Sequence, residues 1–349
     1  MNNRLIEIKP NSKINIDVKF KIKKGITCII GDSGSGKTTL LRAISGLECH
    51  PNSSVTIDSN WQNGTYFLPT CKRKIAYVLQ ENNLFTHLNV RNNLALINED
   101  KSLSCSLKQA LKITLKIEAL KEKFPNELSG GEKQRVALFK AFIMESELIL
   151  LDEPLSAVDS HHKKIILNDI QQFKQHIEKP IIYVSHNYDE ITQIADQIIC
   201  IQKGRKLFDL PFSSNNLNQY FQKNEPQQIS SLFDMKVDKT NQDFEVAQLI
   251  NDDFLIRTTS NISDTRLDYR IKILAKDVSI CTERPHKTSI LNILEGNITE
   301  ITKLDQSMLI AVTIGDSIIF SLISHYSFFY LQLNITSKVW IQVKALNIN

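Results

Sequence analysis

Residues 31–38 read GDSGSGKT, and glycines, a lysine and a threonine at that spacing can hold a triphosphate. Gly34 and Gly36 let the backbone approach phosphate oxygens with no Cβ in the way. The run from Gly31 through Asp32, Ser33, Gly34, Ser35 and Gly36 to Lys37, Thr38 and Thr39 then turns successive N–H groups, and a helix start, toward the anion. Lys37 reaches the β- and γ-phosphates, and the Thr38 hydroxyl is offered to Mg²⁺. This chemistry calls for ATP and Mg²⁺. Asp32 is discordant, because a carboxylate repels phosphate, and it is expected to face solvent.

The run ELILLDE (147–153) ends in two acids. Neighbouring strand residues point opposite ways, so at the strand end they can take different tasks. Asp152 is expected to hold the Mg²⁺ shell, and Glu153 to polarise the water that attacks the γ-phosphate. Gln80 ends the strand-like IAYVLQ, where its amide can touch Mg²⁺ or that water and then move. His186 follows PIIYVS in the same way, where an imidazole can bond the γ-phosphate.

A second glycine-rich helix start, LSGGEKQR, spans 128–135. Ser129, Gly130 and Gly131 would present a hydroxyl and backbone N–H groups at a positive helix end. One phosphate loop already surrounds its own triphosphate, so this second cradle suits the nucleotide of a second copy of the chain, in a two-fold dimer closed by ATP. The same residues also form an ordinary helix cap, with Ser129 at the N-cap and Glu132 completing a capping box.

These groups need a sheet that delivers them to one edge. ITCII (26–30), ELILLDE and PIIYVSH are continuous apolar runs, which suit strands buried on both faces. Ligands then gather at the carboxyl ends of such strands. SLKQALKITLKIEAL (106–120) carries Leu107, Leu111 and Leu115 as a helical stripe. Past about residue 228 the alternation of strand and helix stops. DYRIKILAKDVSI, SMLIAVTI, SIIFSLIS and KVWIQVKA read as strands, with Gly315-Asp316 as a hairpin turn. The expected division is an α/β ATPase domain over 1–228, with a helical subdomain over about 82–145, and a β domain over 229–349.

Composition excludes several classes. With 42% apolar and 23% charged residues the chain reads as globular, and a net charge of +4 is too weak a field to argue for nucleic acid. MNNRLIEIKP lacks the apolar core of a secretory signal, and no run approaches the length of a bilayer span. Six scattered cysteines fit reduced thiols rather than a disulfide framework or a zinc site.

In their order and spacing these motifs resemble the ATP-binding-cassette ATPases. LSGGEKQR is similar to the signature sequence of that family, Gln80 to its Q-loop and His186 to its switch histidine. The resemblance places Asp159, in PLSAVDS, on the loop that crosses to the opposite subunit. Two departures stand out: NSKINIDVKF offers no aromatic for stacking on adenine, Phe20 reading as a strand residue, and Val158 replaces a common Leu. No coiled coil separates the phosphate loop from the signature, no second cassette follows and no membrane span is fused. This resembles the ATPase subunit of a bacterial importer, peripheral on the cytoplasmic face of the plasma membrane, with integral membrane permease subunits as partners. In that family Leu84, Phe85 and Leu88 would line a socket for a permease helix; the alternative is that they are internal core. RPHKTSILNILEGNI (284–298) resembles the small β-barrel domain (Mop/TOBE-like, OB-type, core about 287–349) of molybdate-importer ATPases. That implies molybdate uptake, with an external molybdate-binding protein as an indirect partner. Sulfate, ferric iron or sugar import, or a soluble cassette ATPase without transport, are the alternatives. For an oxyanion in this domain the resemblance offers Thr288, Ser289 and Asn292; a plain strand with a Thr-Ser turn is the other reading.

Overall fold

The computed structural model describes residues 4–11, 14–79, 84–174, 177, 179–211, 226–241, 246–259 and 268–344. The chain divides into two units, Met1–Phe212 and Ser213–Asn349.

Six strands form the central sheet of the first unit, in the order Arg205–Pro211, Gln197–Gln202, Gly25–Ile30, Pro180–Val184, Leu148–Asp152, Ile75–Val78. All run parallel except Arg205–Pro211, which returns as a hairpin partner of Gln197–Gln202. Leu148–Asp152 and Pro180–Val184 are buried at every position, as continuous apolar runs in a covered parallel sheet must be. One face of the sheet, through Leu148, Leu150, Ile182, Val184 and Ile199, shares a core with Leu40, Leu41 and Ile44 of the helix Lys37–Ser45.

That core also includes a second, antiparallel sheet, ordered Val18–Lys21, Leu5–Ile8, Ser54–Thr56, Asn60–Asn63, Tyr66–Phe67. Phe20 lies in it, 2% exposed, and so is core rather than a platform for a base. Between Ile75–Val78 and Leu148–Asp152 the chain is helical, with Val90–Ala95, Cys105–Thr114 and Gly130–Ile143 as its main elements. Leu111 and Leu115 of the expected stripe are buried and Leu107 is half-buried.

Arg73 joins the two sheets' layers. Its Nε donates to the Leu68 carbonyl at 2.7 Å, and its Nη1 reaches the carbonyls of Ala43 and Ile44 at the C-terminal end of Lys37–Ser45. The guanidinium also lies 5.0 Å from the Phe67 ring centroid and 5.8 Å from that of Trp61. The buried cation supplies a donor to the Ile44 carbonyl at the helix end and a longer one to that of Ala43, which also accepts the Gly46 N–H at the C-cap. Arg73→Met should therefore cost the first unit ~2–4 kcal/mol of stability through the stranded Ile44 carbonyl, the lost bond to the Leu68 carbonyl and the lost cation–π contact. Denaturant unfolding followed at Trp61 measures this, and an unchanged midpoint would refute it.

Among the described residues the second unit is β apart from short helical turns and the six-residue helix His325–Tyr330. It holds a four-stranded sheet ordered Leu255–Thr258, Val246–Ile250, Ser230–Asn241, Asp268–Leu274, and a five-stranded one ordered Val278–Cys281, Lys338–Val343, Asn292–Lys303, Met308–Ile314, Ser317–Ile323. Both sheets feed one core that includes Leu249, Ile273, Ile298, Ile310 and Ile341. The hairpin expected at Gly315-Asp316 is present, joining Met308–Ile314 to Ser317–Ile323. Its turn is held by Asp253, whose Oδ1 accepts the Asp316 N–H at 2.9 Å.

Candidate ATP-hydrolysis site

Parallel register brings the ends of three strands level. Ile29 pairs with Val184, and Val184 with Asp152. The residues just beyond, Gly31, Glu153 and His186, therefore leave one edge of the sheet. Gln80, expected at the end of IAYVLQ, lies outside the described residues.

Gly34 and Gly36 both have positive φ, 77° and 104°, so the loop takes turns that L side chains resist. The Ser35 carbonyl accepts the Gly204 N–H at 2.9 Å, which ties the loop to the hairpin after Gln197–Gln202. Lys37 is only 8% exposed, and its ammonium donates to the carbonyls of Gly31 and Asp32 at 2.8 Å each. Burial lowers its pKa, while the carboxylates of Glu153, Asp152 and Asp32 oppose that shift. Asp32 and Ser33 stand at the surface. The Lys37–Ser45 helix begins at this loop, so the N–H groups of Thr38 and Thr39 belong to its open end.

Asp152 is 2% exposed. Burial raises its pKa, and a hydrogen bond from Thr38 pulls it back. Its Oδ2 is buried without a hydrogen-bond partner. A stranded carboxylate oxygen beside a threonine hydroxyl is a hard-oxygen donor set that fits Mg²⁺, which takes few protein ligands and completes its shell with water and phosphate. No cluster of three or more His, Cys, Asp or Glu that could hold a metal ion occurs among the described residues.

Glu153 has φ 48°, a left-handed conformation that is costly for a side chain with a Cβ. Its N–H bonds the Val184 carbonyl at 3.0 Å, and its Oε1 lies 3.0 Å from His186 Nδ1. A carboxylate only accepts, so Nδ1 donates and Nε2 is left for another partner. The expectation set Glu153 to the attacking water and His186 to the γ-phosphate; the structure also brings the two side chains together.

The segment carrying His186 is anchored by residues that sequence reasoning missed. Glu190, 2% exposed, accepts from Tyr183 Oη at 2.7 Å and Ser185 Oγ at 2.8 Å, and pairs with Lys163 at 2.8 Å. The Asn187 side chain caps the following helix, Tyr188–Ile194. The sequence signal, one acid four residues past a histidine, is too common to have singled Glu190 out.

The second glycine-rich start caps the helix Gly130–Ile143. Ser129 Oγ accepts the Glu132 N–H at 3.2 Å, and Glu132 Oε2 accepts the Ser129 N–H at 2.7 Å. The capping box therefore forms. The paired glycines have a separate reason: a Cβ on Gly131 would sit 3.1 Å from the Ala157 carbonyl, and one on Gly130 3.3 Å from Ala157 Cβ. Gln134 adds two bonds to the same loop, donating to Ser156 Oγ at 3.1 Å and accepting the Ala157 N–H at 3.0 Å. The loop ends at Asp159, which is exposed and whose carboxyl is held below its usual range by the backbone and imidazole of His162.

Of the socket residues, Leu84 is core at 9% exposed and Leu88 is half-buried, while Phe85 is 49% exposed. Buried Asn93 shapes this turn, accepting the Phe85 N–H and donating to the carbonyls of Phe85, Leu88 and Asn89. In the second unit Thr288 and Ser289 are exposed, but Asn292 is buried and bridges the backbone N–H and carbonyl of Arg257 at 2.6 and 3.0 Å. Its amide is thus committed to the fold.

A phosphate loop, a strand-end Asp-Glu pair and a histidine on one sheet edge, with a capped SGG helix start on a helical segment, define an ATP-binding-cassette ATPase. A family model described as ABC transporter matches residues 16–156, and one described as TOBE domain matches 288–348. The chain is 32% identical over 342 residues to the molybdenum import ATP-binding protein ModC of Methylococcus capsulatus, covering 97% of this chain and 96% of that one. It is 34% identical over 347 residues to the protein of that name from Haemophilus ducreyi, covering 96% and 97%. A solved ATP-binding subunit of an ABC transporter superimposes with a TM-score of 0.52 at 22% identity, over 62% of this chain and 93% of that one, and so shares the fold. The chain belongs to the family of molybdenum import ATP-binding proteins.

Proposed function

We propose that this chain is the ATP-hydrolysing subunit of a bacterial molybdate importer, acting as a head-to-tail homodimer beneath integral membrane permease subunits. The carrying observation is the Glu153–His186 pair beside buried Asp152 and Lys37 at one sheet edge. Lys37 exchanges its loop carbonyls for the β- and γ-phosphates. Thr38 and Asp152 would hold Mg²⁺, which when bound would supply positive charge to the phosphate oxygens. Glu153 orients the attacking water and takes its proton, while His186 holds that carboxylate by Nδ1 and presents Nε2 to the γ-phosphate. Gln80 would contact that water or the Mg²⁺. Ser129, Gly130, Gly131 and Asp159 act on the nucleotide of the partner subunit.

No helix of the described residues is long and apolar enough to cross a membrane. In this reading the permease holds the subunit at the cytoplasmic face. Exposed Phe85, on the turn braced by Asn93, is the contact for the permease. Likeness to ModC proteins along nearly the whole chain supports molybdate as the cargo. An external molybdate-binding protein would deliver it to the permease. Uptake of labelled molybdate and labelled sulfate, by cells with and without this chain, tests the assignment. Molybdate uptake should fall to background without it while sulfate uptake is unchanged. Equal molybdate uptake in both would reject the cargo, and loss of sulfate uptake alone would reassign it.

A further inference from the structure

The hydrolysis chemistry leaves His162 unused, yet both ring nitrogens are engaged. Nδ1 lies 2.7 Å from Asp159 Oδ2, and Nε2 lies 3.0 Å from Lys116 Nζ. The other Asp159 oxygen accepts the His162 backbone N–H at 3.1 Å. An ammonium has no lone pair to offer, so Nε2 accepts from Lys116. Nδ1 must then carry the ring proton and donate it to Asp159. The neighbours thus select one tautomer, as an outer partner does for a metal-bound histidine. Lys116 follows the helix Cys105–Thr114, so a relay of side chains runs from the helical segment to Asp159. The middle of the same loop is tied to a second helix, Gly130–Ile143, through Gln134.

We propose that His162 is a positioning residue for Asp159: it sets the place of that carboxylate from Lys116, so the loop facing the partner subunit is registered to the helical segment. The effect on turnover rests on the dimer reading above; the tautomer rests on geometry alone. Leucine cannot make this bridge. Glutamine can, since its amide NH₂ donates to Asp159 while its oxygen accepts from Lys116.

The test uses the full chain labelled with ¹⁵N-histidine, without nucleotide, and with the His162 signals assigned by their loss in His162→Gln. Nδ1 should resonate as a protonated nitrogen and Nε2 as an unprotonated one, and Lys116→Met should average the two. In steady-state ATPase assays His162→Leu should lower kcat ~5–10-fold with KM for ATP within about twofold, and His162→Gln should restore most of it. Lys116→Met should lower kcat and add little in the double variant, because both residues act in one relay. The opposite tautomer, additive losses, or wild-type kcat in His162→Leu would overturn the proposal. If the unmodified chain hydrolysed no ATP, the proposed function would fail, and the tautomer measurement alone would decide the relay.

Discussion

Glu153→Gln should bind ATP about as tightly as the unmodified chain and hydrolyse it ~10²–10⁴-fold more slowly, the range expected when a general base is removed. The substitution is nearly isosteric. The Gln oxygen can still accept from His186 Nδ1, now 3.0 Å from Glu153 Oε1, so the strand-end geometry survives. What goes is the negative charge that draws a proton from water. Asp152, buried beside Thr38, is untouched and metal binding should persist. Because the triphosphate then outlives the encounter, the dimer should accumulate with ATP and not with ADP. Size-exclusion chromatography with each nucleotide, alongside a single-turnover assay, measures both effects. Hydrolysis at the normal rate would remove Glu153 from the role of base and leave its left-handed backbone, φ 48°, without a catalytic explanation.

The parts of this site that sequence displays are those made by neighbours along the chain. The phosphate loop is one contiguous turn between a strand and a helix, and its residue types are dictated by its own backbone. Asp152 and Glu153 are legible because four apolar residues precede them and the strand must surface somewhere. What stayed hidden depends on register between distant segments. The Glu153–His186 pair spans 33 positions and exists only because Leu148–Asp152 and Pro180–Val184 lie side by side. Gln134 reads as one more polar residue of a helix, and only the folded chain puts Ser156 within 3.1 Å of it. Arg73 sits in the basic run CKRK, which composition assigns to a wet surface, yet it is buried against another helix's end. The antiparallel sheet of the first unit escaped for a different reason. Its strands are too short for a period to register, Tyr66–Phe67 being two residues long. In the second unit the Gly315-Asp316 hairpin was plain from its flanking apolar runs. Ser230–Asn241 was not, because its charged residues, Asp234, Lys236, Asp238 and Lys239, break the apolar pattern.

A mixing experiment bears most directly on the shared site. Lys37→Ala removes the ammonium from one phosphate loop and leaves that chain's SGG start intact. Ser129→Asp does the reverse. Aspartate is as good an N-cap as serine, so the helix Gly130–Ile143 keeps its start. If the proposed dimer forms, a carboxylate would then face the γ-phosphate of the partner subunit. Like charges ~4 Å apart near a protein surface repel by about 4 kcal/mol, enough to suppress closure ~10²-fold or more. Each variant alone should therefore be nearly inactive. Mixed in equal amounts, half of the dimers should pair one chain of each kind. Such a dimer has one site broken twice, and one site in which an intact phosphate loop meets an intact SGG start. Activity should then rise to roughly a quarter of the unmodified level if the sites turn over independently. A chain that encloses its own nucleotide gains nothing from a differently damaged twin. A mixture that stays at the sum of its two inactive components would therefore mean that Ser129 serves its own helix cap, already built from Glu132, and no nucleotide across an interface.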